Sequence, residues 1–475
     1  MKVRHTGGML VHGRTTTFRD AFRLVGQPIS PEKKAILADR WQGLDPRWRK
    51  LTQGLGRQAT GCGATIGMHP RCDFDCEGCY LGSDANRVPR RSTDEIFRQL
   101  EAMRAYLGPK ANVQLTDGEV TLLPVEELVA VLNRARELEL LPMIMTHGDS
   151  FRRRPGLLER LVVEGGMTEM SIHVDTTQRG RLGYKGVANE LALMPLREEF
   201  AAMIRETRRS TGVKLRSATT MTITRDNLDG VPAVVAWCLE NRDVFGMISF
   251  QPLAQVGRTR DGLSGVTMQE LWSRVGDALR PYGFTNNGAG PFLFGHPDCT
   301  RLELMTVYQR NGEAPRVFSI FREGDPGDEA LLADFHARGL AGINFRDDTT
   351  LERVCRALGV ALNNPLWIAG PARRFLASRL AHFGTSLPGL AWDLARRRVR
   401  LDGFSIVSHH FMSGAELSSP VGEERLAACA FKLPVDGRMV SMCEVNAGGL
   451  REAFYSGLQT EALPLVSSLP ILQTR

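Results

Sequence analysis

The run Arg71-Cys72-Asp73-Phe74-Asp75-Cys76-Glu77-Gly78-Cys79-Tyr80 sets three cysteines in a C-x3-C-x2-C spacing. Three soft thiolates this close together favour an iron–sulfur cluster. A cubane has one iron for each of four ligands, so a loop with three thiolates leaves one iron open to something reactive. Two plainer accounts stay open. The thiols could be unrelated and simply buried, or they could bind zinc. Zinc usually takes two C-x2-C arms, or two cysteines answered by two histidines. The chain has no second C-x2-C arm.

Outward from this loop, short apolar runs with strand character alternate with amphipathic stretches of helical period. The strand-like runs are Ala64–His69, Asn112–Thr116, Pro142–Thr146, Thr168–His173, Lys214–Ile223 and Gly246–Gln251. Helical patterns include Thr93–Tyr106, opened by a Ser92-Thr93-Asp94-Glu95 capping signal, and Val125–Leu138. Six such β/α units predict an α/β fold with a parallel, curved sheet of the partial-barrel kind. In such a sheet, polar residues at the C-terminal strand ends are where chemistry collects. Ser171, His173 and Asp175 fall at period two, so they face one side. An ordinary structural role for His173 remains an alternative.

The cysteine spacing resembles the signature of the radical S-adenosylmethionine (radical SAM) enzymes. The resemblance implies a partial (β/α)6 TIM-like barrel and a [4Fe-4S] cluster on Cys72, Cys76 and Cys79. In that family the open iron chelates SAM, and a reductive cleavage gives a 5′-deoxyadenosyl radical that abstracts hydrogen from an unactivated carbon. The family residue before the third cysteine is usually aromatic and lies near the adenine. Here that position is Gly78, and the aromatic comes two residues later, as Tyr80.

Further SAM contacts are implied position by position. Thr116-Asp117-Gly118-Glu119-Val120 resembles the family's Gly-Gly-Glu-Pro segment, which grips the ammonium group of SAM. Gly118 and Glu119 are retained, whereas Asp117 and Val120 replace the first Gly and the Pro. Thr146 ends the third strand-like run, and Ser171 and His173 are expected at the SAM carboxylate or ribose. Arg225 and Gln251, at the ends of the fifth and sixth runs, resemble the family's ribose- and adenine-contacting positions. The resemblance also implies a low-potential electron donor of the flavodoxin or ferredoxin type.

Cys299, Cys429 and Cys443 suggest a second site. The last two flank Lys432-Leu433-Pro434-Val435-Asp436-Gly437-Arg438, which reads as a hairpin with a cysteine beyond each strand. They could hold an auxiliary iron–sulfur cluster or be isolated buried thiols. The segments His296-Pro297-Asp298-Cys299, Ser408-His409-His410-Phe411-Met412 and Cys429 through Asn446 are similar to the C-terminal half of the tetraether synthase-like group. That group joins lipid chains by carbon–carbon bonds. Its members carry a further cysteine where this chain has Phe294. A fourth ligand would come from His296, His409, His410 or Cys355, or be absent.

Composition is that of a globular protein, with 43% hydrophobic and 24% charged residues and a formal charge of +7. Basic residues cluster at Arg152–Arg154 and Arg396–Arg400. The stretch Pro365–Leu401 mixes aliphatic, aromatic and arginine side chains as an interfacial segment would, although a solvated basic face is the blander account. Contact with lipid or a membrane surface is therefore an expectation. Nucleic acid is not expected, because no recognition motif is present. No apolar run is long enough to span a bilayer. A cytoplasmic enzyme, peripheral at the inner membrane face, is the expected setting. An ordinary SAM methyltransferase is disfavoured, since no glycine-rich loop of the doubly wound type follows the first strand.

Three regions are expected. Residues 1–63 form an N-terminal extension, 64–260 the radical SAM core, and 261–475 a C-terminal α+β extension with the auxiliary cluster and substrate determinants. The last twenty or so residues read as a loosely held tail.

Overall fold

The fold is built on one curled, half-barrel sheet whose middle strands are parallel and follow chain order. The structure is a computed structural model that describes residues 17–59, 62–285 and 290–459. The tail expected at the end of the chain lies, past Gln459, outside these residues.

The central strands are β1 (Cys62–Ala64), β2 (Asn112–Leu115), β3 (Leu141–Thr146), β4 (Glu169–His173), β5 (Arg216–Ile223) and β6 (Phe245–Pro252). After Gly26 of α1 (Phe18–Gly26) comes α2 (Pro31–Gln42). The crossovers then carry α3 (Thr93–Leu107), α4 (Val125–Glu137), α5 (Asp149–Arg153), α6 (Leu157–Val163), α7 (Met194–Thr211) and α8 (Val231–Glu240). The helices cover the sheet because their apolar stripes match it. Ile96, Leu100 and Met103 of α3, Val131 and Leu132 of α4 and Phe200 and Ile204 of α7 share one core with Ile144, Met170, Ile172 and Met221 of the strands. Each such side chain contributes about 1.5–3 kcal/mol by leaving water. Strand β5 is buried along nearly its whole length, as expected for a parallel strand covered on both faces.

The first strand is shorter than its apolar run. A strand over Ala64–His69 was the expectation, but the ladder stops at Ala64. Thr65 N still donates to Gln114 O of β2 at 3.0 Å, but the next backbone donors are taken by side chains. Ile66 N donates to Gln99 Oε1 at 2.9 Å, and Gly67 N to Asp117 Oδ2 at 2.6 Å. Gly67 adopts φ +74°, which turns the chain away from the sheet.

Residues beyond 260 extend the same sheet at both edges. After α9 (Met268–Leu279), strands β7 (Thr300–Arg310) and β8 (Arg316–Ser319) precede α10 (Pro326–Ala337), α11 (Thr350–Asn363), α12 (Pro365–Trp367), α13 (Arg373–His382) and α14 (Leu387–Ala395). Strand β9 (Val399–His409) then pairs in parallel with β6 and antiparallel with β7. Past α15 (Gly414–Leu417) and α16 (Pro420–Ala427), the hairpin of β10 (Phe431–Val435) and β11 (Arg438–Ser441) adds to the other edge, with β10 parallel to β1. The chain continues into α17 (Met442–Ala447) and α18 (Leu450–Gln459).

The N-terminal mouth of the half-barrel is closed by charge. Arg346 donates to Asn112 Oδ1 at 3.0 Å and to Glu169 at 3.1 Å, while Arg216 reaches the same carboxylate at 3.1 Å. This leaves the C-terminal strand ends as the open side. The cysteine loop leaves β1 there.

Candidate active site at the C-terminal strand ends

The cysteine loop is stitched to three strand ends. Gly118 N donates to His69 O and Glu119 N to Arg71 O, both at 2.9 Å. Asp75 N and Glu77 N each donate at 3.0 Å to the segment after β4, at Arg179 O and Thr177 O. Arg258 N, after β6, donates to Cys79 O at 3.0 Å and Leu81 O at 2.9 Å. These contacts need glycine where backbones meet. A Cβ on Gly118 would lie 2.3 Å from Arg71 O, and one on Gly257 would lie 2.4 Å from Tyr80 O.

Cys72, Cys76 and Cys79 share this loop, and each is partly exposed. Burial pushes the Cys72 thiol up to about 12. Burial, with the neighbouring Cys79 and Cys72, pushes Cys76 well above its ordinary value. Such thiols ionise when a metal displaces their protons, so loading releases protons and weakens in acid. Phe74 N donates to Cys72 Sγ at 3.4 Å. Burial works against the charge of Arg258, but the facing thiolates of Cys79, Cys76 and Cys72 hold it. Its guanidinium is fixed by donation to Phe74 O at 3.0 Å. Three thiols with a cation beside them suit an anionic thiolate cluster. A cubane binds each thiolate to a different iron, so the sulfurs need not converge on one point. Among the described residues, ligand atoms converge within 4.8 Å only for Cys72, Asp73 and His147.

His147 is the latch between β3 and the loop. Its Nδ1 accepts from Asp149 N at 3.1 Å, which leaves Nε2 to donate to Asp73 Oδ1 at 2.8 Å. Its ring stacks on Phe74 with centroids 3.8 Å apart and planes 4° from parallel. Glu119 is buried beneath it. One carboxylate oxygen accepts from Thr146 Oγ1 at 2.7 Å and from Thr121, and the other from His147 N at 2.8 Å.

The other expected SAM residues fall into groups. Ser171 and His173 face the barrel interior on one side of β4, as their period predicted. Ser171 Oγ meets Thr220 Oγ1 at 2.8 Å, and His173 Nε2 meets Asp175 Oδ2 at 2.6 Å. Gln251 sits beside Thr222 in the β5–β6 register. Arg225 does not join them, because it is exposed and pairs with Glu270 at the start of α9. Tyr80 turns under the loop, where its hydroxyl donates to Asp117 O and its ring faces Arg451 at 4.7 Å. A Cβ at Gly78 would lie 2.5 Å from Leu253 Cδ1, so a larger residue there would push the leucine's end aside.

Asp117 anchors a network that sequence reading missed. Arg451 and Tyr455 of α18 both donate to Asp117 Oδ1, the tyrosine at 2.6 Å. Arg451 also donates to Asn446 Oδ1 at 2.9 Å. The end of the described chain is thus tied to the turn after β2.

The second thiol group is gathered by folding. Cys299, ahead of β7, accepts from Arg425 Nε at 3.1 Å, and Cys443 of α17 accepts from Met412 N at 3.4 Å. Cys429 Sγ donates to Phe431 O at 3.2 Å. Burial pushes Cys429 up to about 12 and Cys443 up to about 11, and the charges of Cys443 and Cys299 add to the shift at Cys429. Of the candidate fourth ligands, His410 is adjacent through its backbone, which donates to Cys299 O at 2.8 Å. Burial lowers His409 to about 4, and its Nδ1 lies 3.3 Å from Thr300 Oγ1. His296 lies against Trp48, with ring centroids 4.3 Å apart and planes tilted by 59°. Cys355 is buried on α11 next to Arg356, which bonds Asp348 at the closed mouth, so it is apart from this group.

The three-thiol loop thus sits at the C-terminal strand ends of the half-barrel. Residues 66–232 match the family model described as the Radical SAM superfamily, so the chain carries a radical SAM domain over that stretch. No curated protein matches the sequence. Among solved structures, anSMEcpe with bound AdoMet is similar at 11% identity over 47% of this chain, with a TM-score of 0.35. The chain spans 60% of the length of that protein. The FeFe-hydrogenase maturase HydG from Carboxydothermus hydrogenoformans is similar at 11% identity and a TM-score of 0.33, over 56% of this chain and 60% of its own. For methylornithine synthase (PylB) the values are 12% and 0.31, over 57% of this chain and 74% of its own. No helix among the described residues is long and apolar enough to cross a membrane.

Proposed function

We propose that this chain is a radical SAM enzyme with a [4Fe-4S] cluster on Cys72, Cys76 and Cys79, and that it abstracts hydrogen from an unactivated C–H bond. The observation that carries the reading is the three-thiol loop pinned to the open strand ends with Arg258 fixed beside it. When bound, such a cluster supplies the electron that cleaves SAM to a 5′-deoxyadenosyl radical. The chain's own residues bind and orient. Gly118 lets the loop approach the turn after β2, and Glu119, Thr146, Ser171, His173 and Gln251 line the strand ends where SAM would lie. Tyr80 buttresses the loop through Asp117. Arg225 stays in the proposed set only as a group that would have to leave Glu270. A low-potential donor of the flavodoxin or ferredoxin type completes the reading.

Glu119 offers the direct test. Glu119→Ala should weaken SAM binding by about tenfold or more while the cluster's absorbance stays. Its orphaned donors should also lower stability by about 1–3 kcal/mol. Titration of SAM against the reconstituted variant reads the first effect, and an unchanged affinity would remove Glu119 from the site.

An auxiliary iron–sulfur cluster on Cys299, Cys429 and Cys443 belongs to the same proposal. Three thiols brought together by folding, Cys443 buried and Cys299 and Cys429 partly exposed, with Arg425 donating to one of them, support it. Anaerobic reconstitution should give about eight irons per chain, falling to about four when Cys72, Cys76 and Cys79 are all alanine. Cys443→Ala should lose iron without losing SAM cleavage. Four irons falling to none would make the second group structural thiols.

For the substrate, we propose a lipid alkyl chain, modified by carbon–carbon bond formation, handled by an enzyme working at the inner membrane face. What supports this over a peptide or small molecule is the similarity of the His296–Cys299, Ser408–Met412 and Cys429–Asn446 segments to the tetraether synthase-like group. A compact polar substrate that is turned over in place of lipid would decide for the alternative.

A further inference from the structure

Twelve of the nineteen exposed large apolar side chains among the described residues lie between Phe345 and Leu401. Scattered exposed leucines need no explanation, but this density in one helical stretch does. On α11, Leu351, Val354, Leu358 and Leu362 recur every three or four residues, so they share one face. That face is exposed, while the neighbouring side of the helix, with Cys355, Arg356 and Gly359, is buried and packs on α1: a Cβ on Gly359 would lie 2.5 Å from Leu24 O. The stripe runs on to Leu366, which is 86% exposed, and α14 presents Trp392, 57% exposed.

Charge on the same stretch is predominantly basic. From Phe345 to Leu401 the sequence holds ten arginines and four carboxylates, Asp347, Asp348, Glu352 and Asp393; Asp348 is buried and Glu352 caps the start of α11. Asp393 is taken by Arg310 at 2.9 Å. Arg356 and Arg379 are spent internally on Asp348 and Asp328. Arg353, Arg373, Arg374, Arg396, Arg397 and Arg398 are exposed. Arg396 lies over the Trp392 ring, 4.1 Å from its centroid, with the cation and the aromatic side by side at the surface.

From this we infer that α11 to α14 form a docking surface for an anionic lipid bilayer. The leucine stripe and Trp392 enter the headgroup–acyl boundary, and the arginines meet lipid phosphates around them. Arginine suits this role because its apolar stem can lie in the boundary while its head stays at the phosphates. A second copy of this chain is the less favoured occupant, because two such faces would bring like charges together. The same repulsion does not arise against an anionic membrane. This inference stands on the surface alone and would hold whatever reaction the cysteine loop supports.

The test is co-sedimentation of the full-length protein with vesicles of phosphatidylcholine alone or mixed with phosphatidylglycerol, at low and high salt. Binding to the mixed vesicles should exceed binding to the neutral ones at least tenfold, and fall with salt. Two variants separate the parts: Leu358→Asp with Leu362→Asp, and Arg396→Gln with Arg397→Gln and Arg398→Gln. Both should retain the wild-type melting temperature and lose binding at least tenfold, and the arginine variant should also lose the salt dependence. Equal binding to both vesicle types, no binding, or variants that bind like wild type would overturn the assignment. So would a sedimentation-velocity dimer that the leucine variant converts to monomer, since the face would then belong to a second copy.

Discussion

Cys76→Ala is expected to abolish SAM cleavage and to remove the iron held by the cysteine loop. Two thiolates bind a cubane poorly, and Cys76 is the middle cysteine of a loop whose ends are fixed to the turn after β2 and to Arg258. The loss should be selective. The loop's shape is held by backbone bonds to Gly118, Glu119, Thr177 and Arg179, none of which uses the thiol. Circular dichroism and thermal melting should therefore stay close to wild type while the spectroscopic signature of the loop's cluster disappears. SAM cleavage that survived in this variant would end the radical SAM reading. A variant that lost both iron and fold would be followed by Cys76→Ser, which keeps the side-chain volume.

Asp117→Ala is expected to be the most destabilising single change in the domain, by about 3–5 kcal/mol. The Asp117 and Arg451 side chains are 0% and 1% exposed, so alanine would leave a guanidinium in the interior with no counter-charge. Gly67 N and Tyr455 would lose their acceptor in the same step. Urea denaturation measures the loss. The double variant Asp117→Ala with Arg451→Met should recover part of it, because the orphaned charge is gone. A loss below about 1 kcal/mol would mean that water or another group takes the place of the carboxylate.

The two predictions differ in how readable their residues were. The cysteine triad announces itself by spacing, and the strand–helix alternation follows from apolar periods and the Ser92 cap, which does accept from Glu95 N. The hairpin after Cys429 was equally legible from its Asp436-Gly437 turn. Asp117 was not, because its partners lie 334 and 338 residues away and only folding brings them together. Arg258 was missed for the same reason: nothing local says that a basic residue after β6 faces the thiols. His147 stood at a strand end in plain view, yet its link to Asp73 needed the loop's path. The over-long first strand has a physical cause too. Apolar residues at 64–68 satisfy strand propensity, but the glycine turn and the side-chain acceptors Gln99 and Asp117 end the ladder.

The sheet's edge pairing has a bearing on the order in which the molecule assembles. Strand β1 pairs with β2 early, at Cys62 with Asn112, but its other neighbour is β10, at Cys62 with Phe431. During synthesis the whole central sheet can therefore be complete while one edge of β1 still waits for its partner. Such long-range closure is slow and leaves an unpaired strand open to wrong pairing until the end of the chain arrives. The same late arrival brings Arg451 and Tyr455 to the turn beside the cysteine loop. Completion of the cysteine loop's surroundings is thereby tied to the arrival of α18: a truncated or stalled chain would carry the thiols without the clamp that steadies them.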